Sequence, residues 1–464
     1  MEIFDSVLKK RVKFSPIKDK AVKIYVCGPT VYDDAHLGHA RSAVAFDLLN
    51  RTLRALGYKV TFVRNYTDID DKIINKMKET KKSLQEITLF YIKRYEEEMK
   101  ALNVLEPDIK PKATETIEEI VNMIRQIDSN GCAYTIENDG VYFDTRKDKL
   151  YLTLTHRETE ETQSRIKENE AKKDPKDFAL WKFAKDKEPS FDSPFGKGRP
   201  GWHIECSAMI KKHLAYEGEY QIDIHGGGAD LFFPHHENEA AQTRCAFNQK
   251  LAKYWMHNGF VNINGEKMSK SLGNSFFLKD ALKVYDGEVL RYYLLSTHYR
   301  ADLNFNEEDL LSSKKRLDKL YRLKKRVYGS KKSAVNGKFK TDMLNALKED
   351  LNISKALAVL DEEINRANEI LDKEPKNKSA KYEIAANLSF VEEVLGIGYQ
   401  DPFVYFQHGV SEEEKKWIEE MIRKRSEAKK EKNFALADSI REELLKKEIK
   451  IMDTPNGTLW EKSE

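Results

Sequence analysis

Two histidines framing a glycine, and a lysine-serine run far downstream, carry the first chemistry legible in the chain. His36-Leu37-Gly38-His39 lies near the start, and Lys267-Met268-Ser269-Lys270-Ser271 follows some 230 residues later. Residues 23–28 read as a short buried strand, and residues 40–56 carry Val44, Leu48, Leu49, Leu53 and Leu56 at helical spacing. The His-x-Gly-His therefore falls where a strand hands over to a helix N-terminus. Free backbone N–H groups and the positive end of a dipole at that point suit a polyphosphate. Gly38 would let a nucleotide lie close to the backbone, and His36 and His39 would supply side-chain donors. Lys267 and Lys270, between Gly265 and Gly273, would be mobile cations that close over the phosphates. Donors fixed where charge builds on phosphate oxygens lower the barrier to attack at phosphorus. Taken singly, the same residues also fit a core histidine pair and solvated lysines.

A second set of residues suits a soft metal. Cys27 ends the first strand, Cys206 lies in Gly201-Trp202-His203-Ile204-Glu205-Cys206, and Pro234-His235-His236-Glu237-Asn238-Glu239 puts His235 and Glu239 four apart on one helical face. Pro234 can open that helix. Two thiolates, an imidazole and a carboxylate could hold zinc. The four positions are scattered and contain no CxxC pair, so buried cysteines and a hydrogen-bonded histidine explain them as well. Four cysteines in 464 residues, no signal-peptide pattern and no run of about eighteen apolar residues predict a cytoplasmic protein without a disulfide framework or membrane span.

Other elements must position these groups. Residues 221–225 read as a buried strand running into Gly226-Gly227-Gly228-Ala229-Asp230, where bare backbone could meet adenine or ribose at the carboxyl edge of a parallel sheet. Asp230 could hold an ammonium group or ribose hydroxyls. Residues 58–67 read as a further strand leading to Asp68-Ile69-Asp70-Asp71-Lys72, whose acids suit either Mg2+ or a helix N-cap.

The two opening motifs resemble the ATP-handling signatures of class I aminoacyl-tRNA synthetases. Tyr25 to Asp33, Arg64 to Lys72, Gly198 to Met209 and Pro234 to Glu239 are similar to the signature blocks of the cysteinyl-tRNA synthetase family. The resemblance implies that Cys27, Cys206, His235 and Glu239 bind one zinc ion, and that Thr67 and Trp202 line an amino-acid pocket. Such a metal makes chemical sense, because apolar packing separates near-isosteres by only about a hundredfold. Zinc prefers a thiolate to a hydroxyl. Four protein ligands ordinarily close a structural site, so either the ion becomes five-coordinate or Glu239, the hardest donor, loosens when substrate sulfur arrives. A purely structural zinc stays open. Leu37 stands where the family usually has isoleucine, and Phe191 and Phe195 where it often has tryptophan.

Length and composition, 34% charged and 40% hydrophobic, allow several cores. The expected fold is α/β: a doubly wound parallel, Rossmann-type core with an inserted domain, then an α-helical bundle and a small C-terminal domain. Residues 1–110 would form the first half of the core, 111–200 a largely helical and polar insertion, and 201–261 the second half. The Lys267 loop and a stem-contact region would occupy 262–310 and the bundle 311–398; after a linker at Gly396 to Pro402, the resemblance of Arg423 to Arg441 and Ile451 to Trp460 to the family's C-terminal domain implies an anticodon-binding domain at 403–464. Net charge is only +3, so RNA must be met by local patches. Between Lys314 and Lys332 stand ten Lys/Arg and one acid, Asp318, on a segment with Leu317, Leu320, Tyr321 and Val327 at helical spacing. That segment suits RNA phosphates or simple solvation. Residues 411–450 hold twelve Lys/Arg and eleven Asp/Glu, and Trp460 could stack on a base or close a small core.

The resemblance implies a monomeric cysteine–tRNA ligase whose partners are tRNA(Cys), L-cysteine and ATP, the last accompanied by Mg2+. Two other readings are an ATP-dependent cysteine ligase with an amino-sugar acceptor, and a non-catalytic zinc- and RNA-binding protein. Lys270→Ala is expected to cut cysteine-dependent ATP–pyrophosphate exchange by a factor on the order of a hundred or more, as for losing a preorganised donor; an unchanged rate would remove Lys270 from the phosphate site.

Overall fold

Near-continuous apolar runs build the centre of the molecule. In Ala21–Val26, Val22, Ile24, Tyr25 and Val26 are all buried, the pattern of a strand covered on both faces. It pairs in parallel with Lys59–Arg64 on one side and Tyr220–Gly228 on the other, and Lys250–Asn258 completes a four-stranded, all-parallel sheet. The computed structural model describes residues 1–156, 171–263, 266–267, 276–454 and 457–462, with Glu266 and Lys267 as backbone only. Lys270, predicted with Lys267 to close over phosphate, lies outside the described residues, as do Met268, Ser269 and Ser271 of the same motif.

The helix predicted over residues 40–56 spans Leu37–Ala55 and begins directly at the His-x-Gly-His. Its buried stripe of Leu37, Val44, Leu48, Leu49 and Leu53 seals one face of the sheet. Each such side chain contributes about 1.5–3 kcal/mol when withdrawn from water. Leu37 is fully buried, so only its bulk is used.

Two sequence expectations need correction. Gly226, Gly227 and Gly228 do not form a loop after a strand; they are its last three residues, in register with Met256, His257 and Asn258. The reason lies beneath them: a Cβ on Gly226 would come within 2.3 Å of the Phe46 ring. The insertion, expected to be largely helical, contains a helix at Ile117–Ser129 and a four-stranded antiparallel sheet of Ala133–Ile136, Gly140–Phe143, Phe178–Phe183 and Gly198–Pro200. Its strands are short and two of them lie apart from the first hairpin in sequence, which hid their alternation.

The helices Trp202–His213 and Glu237–Phe247 are held from two sides. Ile204, Ala208, Ala241 and Ala246 pack into the insertion's core with Ile120, Ile124, Phe143 and Trp181. Cys206, Met209, Ile210 and Ala240 face Ile222 and Leu251 of the parallel sheet. Phe191 and Phe195 pack against the insertion core from outside.

Beyond the core, helices Glu307–Arg326, Gly337–Lys348, Ile353–Lys373 and Lys378–Leu395 pack together. Leu317, Leu320, Tyr321 and Val327 are buried as their spacing predicts, and Lys315, Arg316, Lys319 and Arg322 are exposed. The last module comprises helices Glu412–Lys430 and Phe434–Lys446 and the hairpin Ile449–Thr454 with Gly457–Lys462. Trp460 is buried there with Ile418, Leu444 and Ile449, a core residue and not an exposed stacking surface. No described helix is long and apolar enough to cross a membrane. Gly226→Ala is expected to cost about 1–3 kcal/mol by overpacking against Phe46, read as a lowered midpoint in urea unfolding.

Candidate active site

The carboxyl ends of the four parallel strands converge on a cleft of about 510 Å3. Cys27 and Gly28 follow the first strand, Arg64 and Asn65 close the second, and Gly228 and Asn258 end the other two; all line the cleft. Among the predicted site residues, His36, Gly38, His39 and Thr67 also line it, as do Trp202, Cys206, Asp230 and His235. Gly226 and Gly227 do not, because Phe46 and His236 lie against them.

At the helix start, His36 is the N-cap. Its Nδ1 accepts from the Gly38 N–H at 3.1 Å, and Nδ1 of His39 accepts from the His36 N–H at 3.2 Å, a reciprocal capping box built from two imidazoles. A neutral ring that accepts at Nδ1 carries its proton on Nε2. The rings stack 3.9 Å apart. Gly38 is required by this arrangement itself, since a Cβ there would meet the His36 ring at 2.8 Å. The backbone also ties this entry to the segment after the lysine motif: Leu37 N–H donates to Phe276 O at 3.2 Å and Leu278 N–H to Ala35 O at 2.8 Å. Lys279 closes the same joint on Asp34.

Beside the histidines, Cys27, Cys206, His235 and Glu239 converge, with one ligand atom from each lying within 4.8 Å of the others. The Cys27 and Cys206 sulfurs are 3.9 Å apart, Cys27 Sγ lies 3.7 Å from Glu239 Oε1, and His235 Nε2 lies 2.9 Å from that oxygen. The i, i+4 pairing expected of His235 and Glu239 is present, although a one-turn segment, Phe232–His236, precedes the regular helix. Sequence reasoning missed a second imidazole layer. His225 Nε2 sits 2.8 Å from Glu239 Oε2, His236 Nε2 3.4 Å from Cys27 Sγ, and Cys27, His225, His236 and Glu239 form an overlapping donor set. His236 Nδ1 pairs with His257 Nε2 at 2.8 Å, and His203 Nδ1 with His235 Nδ1 at 2.9 Å. Six histidines within 55 residues, from His203 to His257 and including His213, were the available signal.

Electrostatics follow from this crowding. Burial acts to raise the Glu239 carboxyl, but His225 and His235 outweigh it and hold it down at about 2. Burial opposes protonation of His235, yet Glu239 and Cys206 push it up to about 10. Burial and the neighbouring thiol push Cys27 well up, while Cys206, hydrogen-bonded by Cys27, is held down at about 6. Burial drives His203 and His236 well below the ordinary imidazole range. Cys206 and Glu239 supply anionic sulfur and oxygen, and a soft divalent cation would displace the proton that they hold on His235. Trp202, partly exposed, stacks on His235 at 4.2 Å and walls the centre from the cleft side.

The acids after the second strand have structural partners. Asp68 accepts from the Thr114 N–H and hydroxyl, Asp70 caps helix Asp71–Thr80 through the Lys72 N–H, and Asp71 pairs with Lys182 and Arg199 of the insertion. The N-cap alternative accounts for Asp70, and Asp71 anchors the inserted sheet.

A strand-to-helix handover at the carboxyl edge of a parallel sheet, with a sulfur, imidazole and carboxylate cluster alongside, is the arrangement of a class I synthetase core. The family model described as the class I (C) tRNA synthetase catalytic domain matches residues 13–315. The methionyl-tRNA synthetase of Mycobacterium tuberculosis bound to methionyl-adenylate shares the fold, with a TM-score of 0.61 at 13% identity over 85% of this chain and 95% of that one. Cysteine–tRNA ligases of Nitratiruptor sp. and Aliarcobacter butzleri are 66% and 64% identical to the chain, covering all of it and 100% and 99% of their own lengths. The chain belongs to the cysteine–tRNA ligase family of class I aminoacyl-tRNA synthetases. Gly38→Ala is expected to push the His36 ring off its cap, costing about 1 kcal/mol in thermal unfolding and lowering ATP–pyrophosphate exchange as well; full stability with full exchange would count against the double duty of His36.

Proposed function

We propose that the cleft joins L-cysteine to ATP as cysteinyl-adenylate, releasing pyrophosphate, and then passes the cysteinyl group to the 3′-terminal ribose of tRNA(Cys), releasing AMP. The observation that carries this reading is the opening of one cleft onto both the His36–His39 pair and Cys27, Cys206 and His235, with Glu239 buried behind them. His36 and His39 offer Nε2–H donors to the phosphates, and the N-terminus of their helix adds its positive end. Lys267 and Lys270, with Ser269 and Ser271, complete the phosphate contacts.

The donor set fits zinc: its two sulfurs, imidazole and carboxylate converge, and Cys206 is already inclined to the thiolate. Zinc held there supplies a soft Lewis acid that favours a substrate thiolate over a serine hydroxyl. The remaining work belongs to the chain. Trp202 excludes water from the His235 side, Thr67 shapes the pocket floor, and Asp230, exposed at the rim, meets the substrate ammonium or the ribose hydroxyls. Gly228 keeps the backbone bare next to the nucleotide. Attack of the carboxylate on the α-phosphate needs alignment and charge stabilisation and no covalent side-chain nucleophile.

The exposed stripe of Lys315, Arg316, Lys319 and Arg322 tracks the tRNA backbone, and the module at 403–464 reads the anticodon. Mg2+ accompanies ATP, and the protein works as a cytoplasmic monomer. Charging of purified tRNA(Cys) with labelled cysteine tests the reading directly. Cys206→Ser is expected to lose the stoichiometric zinc seen by elemental analysis and to reduce charging by more than the 10–100-fold typical of outer-shell changes. Full charging without bound zinc would sink the metal's role.

A further inference from the structure

The segment joining the helical bundle to the last module was expected to be a linker, yet it is gripped from one side by a single short helix. Gly287–Ser296 presents Glu288 and Arg291, both fully buried, one turn apart. Arg291 donates through Nε to Leu395 O at 2.9 Å and through Nη1 to Leu102 O and Asn103 O at 3.0 Å each. Its Nη2 meets Asp47 of helix Leu37–Ala55 at 2.5 Å. Gly396, with φ of +67°, lies so close that a Cβ there would stand 2.5 Å from the guanidinium. The Glu288 carboxylate accepts from the Tyr321 hydroxyl at 2.6 Å, from the Gly398 N–H, and from Gln400 Nε2 at 3.1 Å. Tyr321 in turn accepts from the Gln400 N–H at 2.9 Å, and Lys324 donates to Gly398 O and Gln400 O at 2.6 and 2.7 Å.

The grip continues into the last module. The Tyr321 ring stacks on Tyr405 with centroids 3.8 Å apart and planes 9° apart, and the Tyr405 hydroxyl donates to Asp318 at 2.7 Å. Phe406 O accepts from the Lys462 N–H at 3.2 Å, and Gln407 Nε2 donates to Trp460 O at 3.0 Å, so the clamped segment is sewn to the final hairpin. Lys325 of the same helix pairs with Glu461 of that hairpin. A buried carboxylate bonded to three donors on two other segments is costly unless all are satisfied, and so it specifies one arrangement of those segments.

We propose that Glu288 is a positioning residue for the tRNA step: by fixing Gly398 to Gln400 against helix Glu307–Arg326, it sets the pose of the 403–464 module relative to the adenylate cleft. It does not line the cleft, which lies at the N-terminal end of the helix whose Asp47 Arg291 holds. The inference rests on the tRNA ligase reading. Removing the grip leaves cysteine activation intact and weakens only the encounter that needs cleft and module at a set separation.

The test compares Glu288→Gln and Tyr321→Phe with the unaltered full chain in two assays. Cysteine-dependent ATP–pyrophosphate exchange is expected to stay within about twofold, while KM for tRNA(Cys) in charging rises about tenfold, the equilibrium equivalent of one hydrogen bond to a charged acceptor. Tyr321→Phe removes one hydroxyl and keeps the stack on Tyr405, so it serves where Glu288→Gln does not fold. An unchanged KM for tRNA in the folded variants overturns the proposal, and so does a parallel fall of exchange and charging, which marks a merely structural residue. Absence of charging by the unaltered chain would instead refute the ligase reading itself.

Discussion

The carboxylate of Glu239 is the constraint around which the site is arranged. It is fully buried, bonded to His225 from the parallel sheet and His235 from its own helical turn, and lies within 4 Å of the Cys27 sulfur at the end of the first strand. Cys27, 212 residues upstream, and His225, 14 residues upstream, therefore meet the helical turn of His235 on one anion. An uncompensated charge at such a depth would be strongly destabilising, so its partners must be present together or not at all. The histidines and thiols that satisfy it are also the groups a soft cation needs. Structural necessity and metal chemistry coincide in the same atoms.

The histidine side of the cleft follows the same economy. His36 and His39 open a helix and line the cleft, and the bonds that cap the helix fix which nitrogen of each ring carries the proton. Backbone bonds between Leu37 and Phe276 and between Ala35 and Leu278 then tie this helix start to the helix that begins at Leu278. Activation chemistry of this kind relies on placing two reactants and their counter-charges, which a rigid frame does well.

Much of this was legible from residue order. The first strand and helix and the buried stripe of the basic helix follow from spacing, because each is a local pattern; the four proposed metal ligands are scattered, and the family resemblance grouped them. What was not legible depended on partners distant in sequence. The three glycines of 226–228 looked like a loop because nothing local reveals that Phe46 needs the space above a strand. The inserted sheet escaped notice because its strands are of three to six residues and the hairpin Ala133–Phe143 waits for Phe178–Phe183 to cover it. His225, His236 and His257 gave no motif, since their roles exist only once the sheet brings them around Glu239. Gly396 to Pro402 had the composition of a tether, and only the folded chain brings Glu288 and Lys324 to it.

The double embrace of helices Trp202–His213 and Glu237–Phe247 bears on how such a molecule can be rebuilt. Because Ile204, Ala208, Ala241 and Ala246 complete the insertion's core while their neighbours complete that of the nucleotide fold, the insertion has no surface along which it could be cut away. Grafting it elsewhere, or trimming it to a minimal catalyst, would bare the outer side of the very helices that present Cys206 and Glu239. The inserted piece buttresses the helices that border the cleft and is not an appendage to them.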